Sequence, residues 1–326
     1  MNKITLCKFV DEVSGNQQAK NMNIQSVYRC ADVFAVIVTY NPDLDVLETL
    51  LDSLLPQVAC AIIVDNGSSV DLGTWILHVR HDNLILHKLS QNYGIAYAQN
   101  IGVEKLGVGR EGFILLSDQD SKPAGNMVYE LKNAALQLIA KGKKVAAVGP
   151  CYIDKRQNNP PPFIRIEGLA VRRQYADKPD SVVDVDYLIA SGCLIPVEVL
   201  HSVGKMNVDL FIDYVDIEWG LRAKALGFQS FGVFAARMEH SLGDEHVNFI
   251  GKQIPLHSPL RHYYLVRNGF WLYKQKGLPL NWKFVDGYRM LIRICFYTLF
   301  AKPRRKHFSM MMRGLVHGLK SRMGRY

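Results

Sequence analysis

Two carboxylates one residue apart, Asp118 and Asp120, follow directly on the apolar run Phe113-Ile114-Leu115-Leu116, and a third, Asp216, lies far downstream in Tyr214-Val215-Asp216-Ile217-Glu218-Trp219. In an extended chain, side chains alternate sides, so Asp118 and Asp120 project together. Two hard oxygen ligands on one side suit a divalent cation that keeps waters and binds a diphosphate. The alternative is a polar turn capping a helix that starts near Ala124. Asp216 falls in the first turn of a helix that stops at Gly227, where the helix dipole favours a carboxylate that can face a cleft. Its alternative is simple capping, with Glu218 and Arg222 as an i,i+4 ion pair, and for Glu218 that pairing is the expectation. A group transfer needs a base near the acceptor and a cation near the leaving group. Asp216 has the chemistry for the first and Asp118 with Asp120 for the second.

Such groups need a scaffold. Val33 to Val38 read as a buried strand running into Thr39-Tyr40-Asn41-Pro42, and Pro42-Asp43 opens a helix whose leucines have helical spacing. Ala61 to Val64 form a second strand ending at Asp65-Asn66-Gly67-Ser68. Leu84 to Leu86 begin a third, leading to Gln91-Asn92-Tyr93-Gly94 and a helix from about Ile95 to Leu106. Phe113 to Leu116 are the fourth, followed by a helix over 124–141 and a strand from Val145 to Val148. This alternation predicts an α/β fold, a parallel sheet with helices on its faces. Ligands of such sheets bind at the carboxyl ends of the strands. Thr39, Tyr40, Asn41, Asp65, Asn66, Asn92, Gly94, Asp118 and Asp120 all fall there, so the pattern favours one binding edge over four unrelated turns. After Pro150 the texture changes: residues 163–189 read as irregular strands, a helix is expected at 197–203, and 244–256 read as a loop.

Composition narrows the classes. The chain has 326 residues, 48% of them hydrophobic, enough for one large core or two modest ones. No Gly-x-Gly-x-x-Gly follows the first strand and no Walker-type Gly-Lys-Ser/Thr occurs, which disfavours a dinucleotide dehydrogenase and a P-loop phosphotransferase. No stretch is long and apolar enough to span a bilayer, and residues 1–30 lack the apolar core of a secretory signal, so a cytoplasmic protein is expected. The six cysteines are scattered without a Cys-x-x-Cys pair and read as reduced thiols. The net charge of +9 is a property of the end of the chain: Trp282 to Tyr326 hold eleven Lys and Arg against one acid, Asp286.

The ordered set Val36-Ile37-Val38-Thr39-Tyr40-Asn41, Val64-Asp65-Asn66-Gly67-Ser68, Asn92-Tyr93-Gly94, Asp118-Gln119-Asp120 and Phe211-Ile212-Asp213-Tyr214-Val215-Asp216-Ile217-Glu218-Trp219 resembles family 2 glycosyltransferases of GT-A fold, and among them the bacterial rhamnosyltransferases. The resemblance spans roughly residues 33 to 275. It implies a Rossmann-like, nucleotide-binding mixed sheet flanked by helices. The residues matching Thr39, Asn41 and Asp65 hold base and ribose, the Asp-x-Asp pair binds Mg²⁺ or Mn²⁺ on the diphosphate, and Asp216 is the general base. Many relatives have Glu-Asp where this chain has Val215-Asp216, which removes one charge beside the base. A histidine at the place of His240 completes the metal site in related enzymes; its alternative is a structural histidine after a strand. Trp219 is assigned as a flat surface for the acceptor sugar. Arg222 is counted with the substrate-binding residues, and so is Arg267, which would meet a diphosphate; a surface arginine accounts for Arg267 equally well.

The expected organisation is an extension at 1–32, a catalytic domain at 33–277 (nucleotide-sugar half 33–150, acceptor half 151–277) and a basic amphipathic tail at 278–326. Apolar residues beside Lys and Arg describe helices lying on an anionic membrane surface. Packing of that tail on the catalytic domain is the alternative, and nucleic acid is not expected as a partner because no recognisable module accompanies the charge. The implied activity is inverting transfer of L-rhamnose from dTDP-L-rhamnose to a lipid-linked saccharide in O-antigen-type lipopolysaccharide synthesis, on the inner face of the membrane. A UDP-sugar enzyme would share every motif, and a non-catalytic nucleotide-sugar binder would keep Asp65 and the metal pair without needing the base.

Overall fold

The computed structural model describes residues 28–79, 81–109, 111–153, 162–240, 245–249 and 252–326, with the backbone alone at 240, 245–249 and 252–255. The chain begins with β1 (Cys30–Thr39), α1 (Leu44–Leu54), β2 (Val58–Asp65), α2 (Leu72–Val79), β3 (Leu84–Lys88), α3 (Ile95–Leu106), β4 (Phe113–Asp118), β5 (Ser121–Pro123), α4 (Met127–Ala140) and β6 (Val145–Ile153). It continues with β7 (Phe163–Glu167), β8 (Ala170–Gln174), β9 (Val182–Val185), β10 (Leu194–Pro196), α5 (Val197–Val203), a single 3-10 turn (Val208–Leu210), α6 (Val215–Ala225) and β11 (Gln229–His240). The last elements are β12 (Glu245–Phe249), β13 (Lys252–Leu256), α7 (Pro259–Lys274), α8 (Leu280–Phe300) and α9 (Arg304–Leu319).

Among the described residues nine strands join in one sheet, ordered β3-β2-β1-β4-β10-β6-β11-β5 with β9 on β11. The first four pair in parallel, as the strand and helix alternation requires. Beyond these four the sheet becomes the mixed one that the resemblance implied. Strand β10 runs antiparallel between β4 and β6, and β11 takes β9 and β5 antiparallel, so the sheet is mixed. The segment expected as a loop at 244–256 holds the antiparallel pair β12 and β13.

Period-two alternation divides β1 between two cores. Ala35 and Ile37 pack with Leu47, Leu50, Leu51 and Leu54 of α1 and with Met127 and Leu131 of α4, whereas Val36 packs with α3, α5 and α6 on the other face. Asp43 starts α1 by accepting from the N–H groups of Asp45 and Val46, the role its place after Pro42 predicts. Among the described residues no disulfide forms: Cys30, Cys60, Cys151 and Cys193 are buried thiols, Cys295 is an exposed one, and Cys7 lies outside the described residues.

A third apolar cluster joins α6, α7, α8 and α9 through Tyr214, Leu221, Leu272, Trp282, Met290 and Met311. Helix α9 approaches α7 so closely that a Cβ on Gly314 would stand 2.5 Å from the carbonyl oxygen of Tyr263. Of the two readings of the tail, packing on the preceding part of the chain therefore holds for α9. Helix α8 buries one side and leaves the other open.

Candidate functional site

The carboxyl ends of β1, β2, β3 and β4 lie side by side, with Thr39 in register with Asp65, Asp65 with Lys88 and Val38 with Asp118. The loops beyond them are tied to one another by the polar residues that the sequence places there. Asp65 accepts from the N–H and hydroxyl of Ser68 (3.2 and 2.5 Å), and Ser68 accepts from the N–H of Asn41 (2.8 Å). The Asn41 side chain accepts from the N–H of Ser69 (2.8 Å). Asn66 donates to the Asn92 side chain (3.1 Å) and accepts from the N–H of Tyr93 (2.9 Å), while Asn92 also accepts from the N–H of Gly94 (2.9 Å). The edge is thus a rigid rim. Its open group is Tyr40, whose N–H donates to the Gln119 side chain (2.8 Å) and whose own side chain is half exposed. Thr39, at the end of β1, is fully buried and its hydroxyl has no partner among the described residues.

Asp118 and Asp216 come together through a segment that sequence reasoning passed over. The N–H of Asp118 donates to Ser191 Oγ (3.1 Å), Ser191 shares a hydrogen bond with Ser121 (2.6 Å), and the N–H of the adjacent Ala190 donates to Asp216 Oδ2 (3.2 Å). Ser191 is buried, so this bridge sits where water does not compete for it. The small residues Ser191-Gly192 between apolar neighbours were its only trace in the sequence. Asp216 also accepts from the N–H of Ile217 (2.8 Å) and lines a narrow cavity of about 20 Å³ among Leu116, Leu188 and Trp219. Burial raises its carboxyl from the ordinary 3.8 to about 6. The two N–H groups oppose this, and the charges of Asp118 and Asp213 reinforce it. The result is a carboxylate that is ionised at neutral pH yet basic enough to take a proton.

The loop before Asp216 has an unusual backbone. Phe211, Asp213 and Tyr214 all have positive φ (64°, 62° and 66°), a conformation that L residues adopt at a cost. Side chains of α7 and the start of α3 hold it. The Asn268 side-chain amide donates to the carbonyls of Leu210, Ile212 and Asp213 (2.9, 2.7 and 2.9 Å), and Phe211 carbonyl accepts from the N–H of Ile95 (2.7 Å), capping α3. Gly94 makes room for that cap, because a Cβ there would stand 2.6 Å from the Phe211 carbonyl oxygen.

No family model matches the chain. A curated relative does: it is 35% identical over 252 residues to "dTDP-rhamnosyl transferase RfbF" of Shigella flexneri, covering 77% of this chain and 82% of that one. The chain belongs to the rhamnosyltransferases. Solved structures agree on the fold. That of GalNAc-T7 with UDP, GalNAc and Mn²⁺ superposes with a TM-score of 0.57 at 14% identity, covering 89% of this chain and 57% of the other. That of S. aureus TarS 1-349 in complex with UDP-GlcNAc gives 0.54 at 14% identity, covering 89% and 82%. The fold is GT-A, and the mixed sheet with its C-terminal helices is the form it takes in this rhamnosyltransferase.

Three residues assigned to substrate are structural in this rhamnosyltransferase. Trp219 is buried, and its indole N–H donates to the carbonyl of Gly204 (2.9 Å), so it has no open face for a sugar. Arg222 grips Glu218 with two hydrogen bonds (2.9 and 3.0 Å) and donates to the carbonyls of Val203 and Lys205. The i,i+4 pair is thus present, and the guanidinium is engaged by it. Arg267 is buried between the aromatic rings of α7 and the loop carbonyls of Asp209 and Leu210, and it also holds the carbonyl of Gly324. It clamps the chain terminus to the loop before Asp216 and does not face a diphosphate. His240 pairs through its backbone with Ser121, next to Asp120, and its side chain lies outside the described residues.

Proposed function

We propose that the enzyme transfers L-rhamnose from dTDP-L-rhamnose, with inversion, to a lipid-linked saccharide. The observation that carries this reading is the bridge through Ala190 and Ser191, which sets a raised carboxylate, Asp216, against the strand end that carries Asp118. The donor is inferred from the name of the Shigella relative. Asp216 takes the proton of the attacking acceptor hydroxyl as its oxygen bonds to the anomeric carbon, and the bond from that carbon to dTDP breaks with its electron pair going to the diphosphate. The rim of Asn41, Asp65, Asn66, Asn92 and Gly94 shapes the nucleotide side of the cleft.

Asp118 and Asp120, with His240 across the β5–β11 pairing, are the residues that would hold a divalent cation. Carboxylates with an imidazole are donors such a cation takes, and Asp120 is exposed; among the described residues no cluster of three His, Cys, Asp or Glu is placed for a metal. When bound, Mg²⁺ or Mn²⁺ supplies positive charge for the departing diphosphate.

Among the described residues no helix is long and apolar enough to cross a membrane. The exposed side of α8 carries Leu280, Phe284, Tyr288, Leu291, Cys295 and Leu299, which recur at four- and three-residue steps along one stripe. Lys302, Arg304, Arg305 and Lys306 follow it, all exposed. An apolar stripe ending in a cationic cluster matches an anionic bilayer surface, and we assign peripheral docking on the inner membrane face to it. The test of the activity is a donor panel of dTDP-L-rhamnose and UDP-sugars with and without chelator. Turnover restricted to dTDP-L-rhamnose and abolished by EDTA is expected; turnover with a UDP-sugar alone would overturn the donor assignment.

A further inference from the structure

Behind the loop that carries Asp213 lies a second cavity, of about 210 Å³, between α7 and α8. Arg261 donates to one oxygen of Asp213 (3.2 Å), and the other oxygen, Oδ2, is buried without a partner. His262 is fully buried on the same wall. Its Nδ1 is engaged with Nδ1 of His307 (2.8 Å) and its Nε2 has no partner. Burial and the cations around it lower His262 to about 3, so the ring is neutral. From α8, Arg293 stands 3.7 Å from Asp286, and Tyr297 lies against the His262 ring at 4.0 Å between centroids.

Each guanidinium stands against a carboxylate, Arg261 against Asp213 in the wall and Arg293 against Asp286 behind it, so these charges offset in pairs. The walls keep an unspent carboxylate oxygen, Asp213 Oδ2, and an unpaired ring nitrogen, His262 Nε2, beside guanidinium N–H donors. Leaving such polar atoms buried and unpaired is unfavourable, and a ligand that hydrogen-bonds to them removes that cost. A phosphate brings no donor and adds negative charge beside Asp213 and Asp286. A sugar hydroxyl both donates and accepts, so each one can bridge a carboxylate and a guanidinium, and the volume suits a single pyranose rather than a nucleotide. The cavity also shares its wall with the base: Asp213 is three residues from Asp216 and its charge acts on that carboxyl, while Tyr187 feels both Asp216 and Arg293.

We infer that this cavity, lined by Asp213, Arg261, His262, Arg293 and Tyr297, binds one neutral sugar residue of the acceptor and delivers its hydroxyl toward Asp216. The inference rests on the reading of Asp216 as the base.

The test is ligand-observed NMR on the full-length protein with a panel of methyl glycosides of hexoses, 6-deoxyhexoses and N-acetylhexosamines. Binding of dTDP and of inorganic phosphate is measured in parallel. At least one glycoside should bind the wild type, and Arg261→Gln and Asp213→Asn should weaken it at least tenfold while dTDP binds as before. No glycoside binding to wild type, or phosphate competing at the same site, would overturn the inference while leaving the transferase reading intact. Failure of wild type to bind dTDP would instead overturn the dTDP-L-rhamnose donor reading. Because the wild-type arm decides by itself, a variant that does not fold does not remove the test.

Discussion

Replacing Asp216 by Asn separates the base from its carboxylate charge, and the structure sets the size of both effects. The wild-type carboxyl rises from 3.8 in the unfolded chain to about 6 when folded. The folded protein therefore holds the proton more tightly. Its stability from this site is highest below pH 4, falls as pH rises from 4 to 6, and stays low above that. The difference of about two in pKa corresponds to about 3 kcal/mol at about 1.4 kcal/mol for each. Asn has no charge to lose, so relative to wild type the variant should gain up to about 3 kcal/mol between pH 4 and pH 8. At any one pH the comparison also contains a mismatch: both carboxylate oxygens accept backbone N–H bonds, from Ala190 and Ile217, and Asn can accept on only one side. That mismatch costs about 1 kcal/mol and nearly cancels in the pH difference. The assay is urea denaturation of both proteins with EDTA at pH 4, 6 and 8, alongside turnover at pH 8. Turnover should fall by about 10²–10⁴ with dTDP binding kept. A stability difference that does not change with pH, or that changes in the opposite sense, would refute the argument, and unchanged turnover would remove Asp216 from the mechanism.

Wild-type turnover should itself fall about tenfold per pH unit below about 6, where Asp216 holds its proton; a profile flat down to pH 5 contradicts the assignment. Asn268→Ala removes two amide donors shared by three carbonyls and one acceptor used by Arg267. It should cost about 3 kcal/mol in denaturant melts and lower turnover further than the lost stability explains, because the positive-φ loop relaxes. Gly94→Ala drives a methyl into the Phe211 carbonyl at a φ of +91° and should cost about 2–4 kcal/mol, read by the same melts. Phe284→Glu with Leu291→Glu changes only exposed side chains of α8. Each lost anchor is worth about 1–2 kcal/mol, so sedimentation with anionic vesicles should weaken by at least tenfold while the melting temperature stays put.

Local pattern carried the architecture. Four apolar runs of strand length, each followed by polar residues and most by a helical stripe, can pack only as a parallel sheet with its loops on one edge. This is why the rim from Asn41 to Asp118 was legible residue by residue. Periodicity also placed Asp216 in the first turn of a helix, the right place relative to its own element. What periodicity cannot carry is the partner of a side chain. Trp219 and Arg222 stand on the same helix as Asp216, and only packing shows that their polar groups are taken by the carbonyls of Gly204, Val203 and Lys205. Arg267 looked like an exposed cation for the same reason, although its charge is spent on a loop nearly sixty residues earlier in the chain. The tail shows the limit most clearly. An apolar and basic helix reads alike whether protein or lipid covers it, and tertiary contact separates α9, pressed against α7 at Gly314, from α8, whose outer stripe no described residue covers. By itself the sequence determined which residues stand at the sheet edge, because that depends on neighbours along the chain. The tertiary structure decided which of them meet: the raised Asp216 and its link to Asp118 exist only because Ala190 and Ser191 fold back between them.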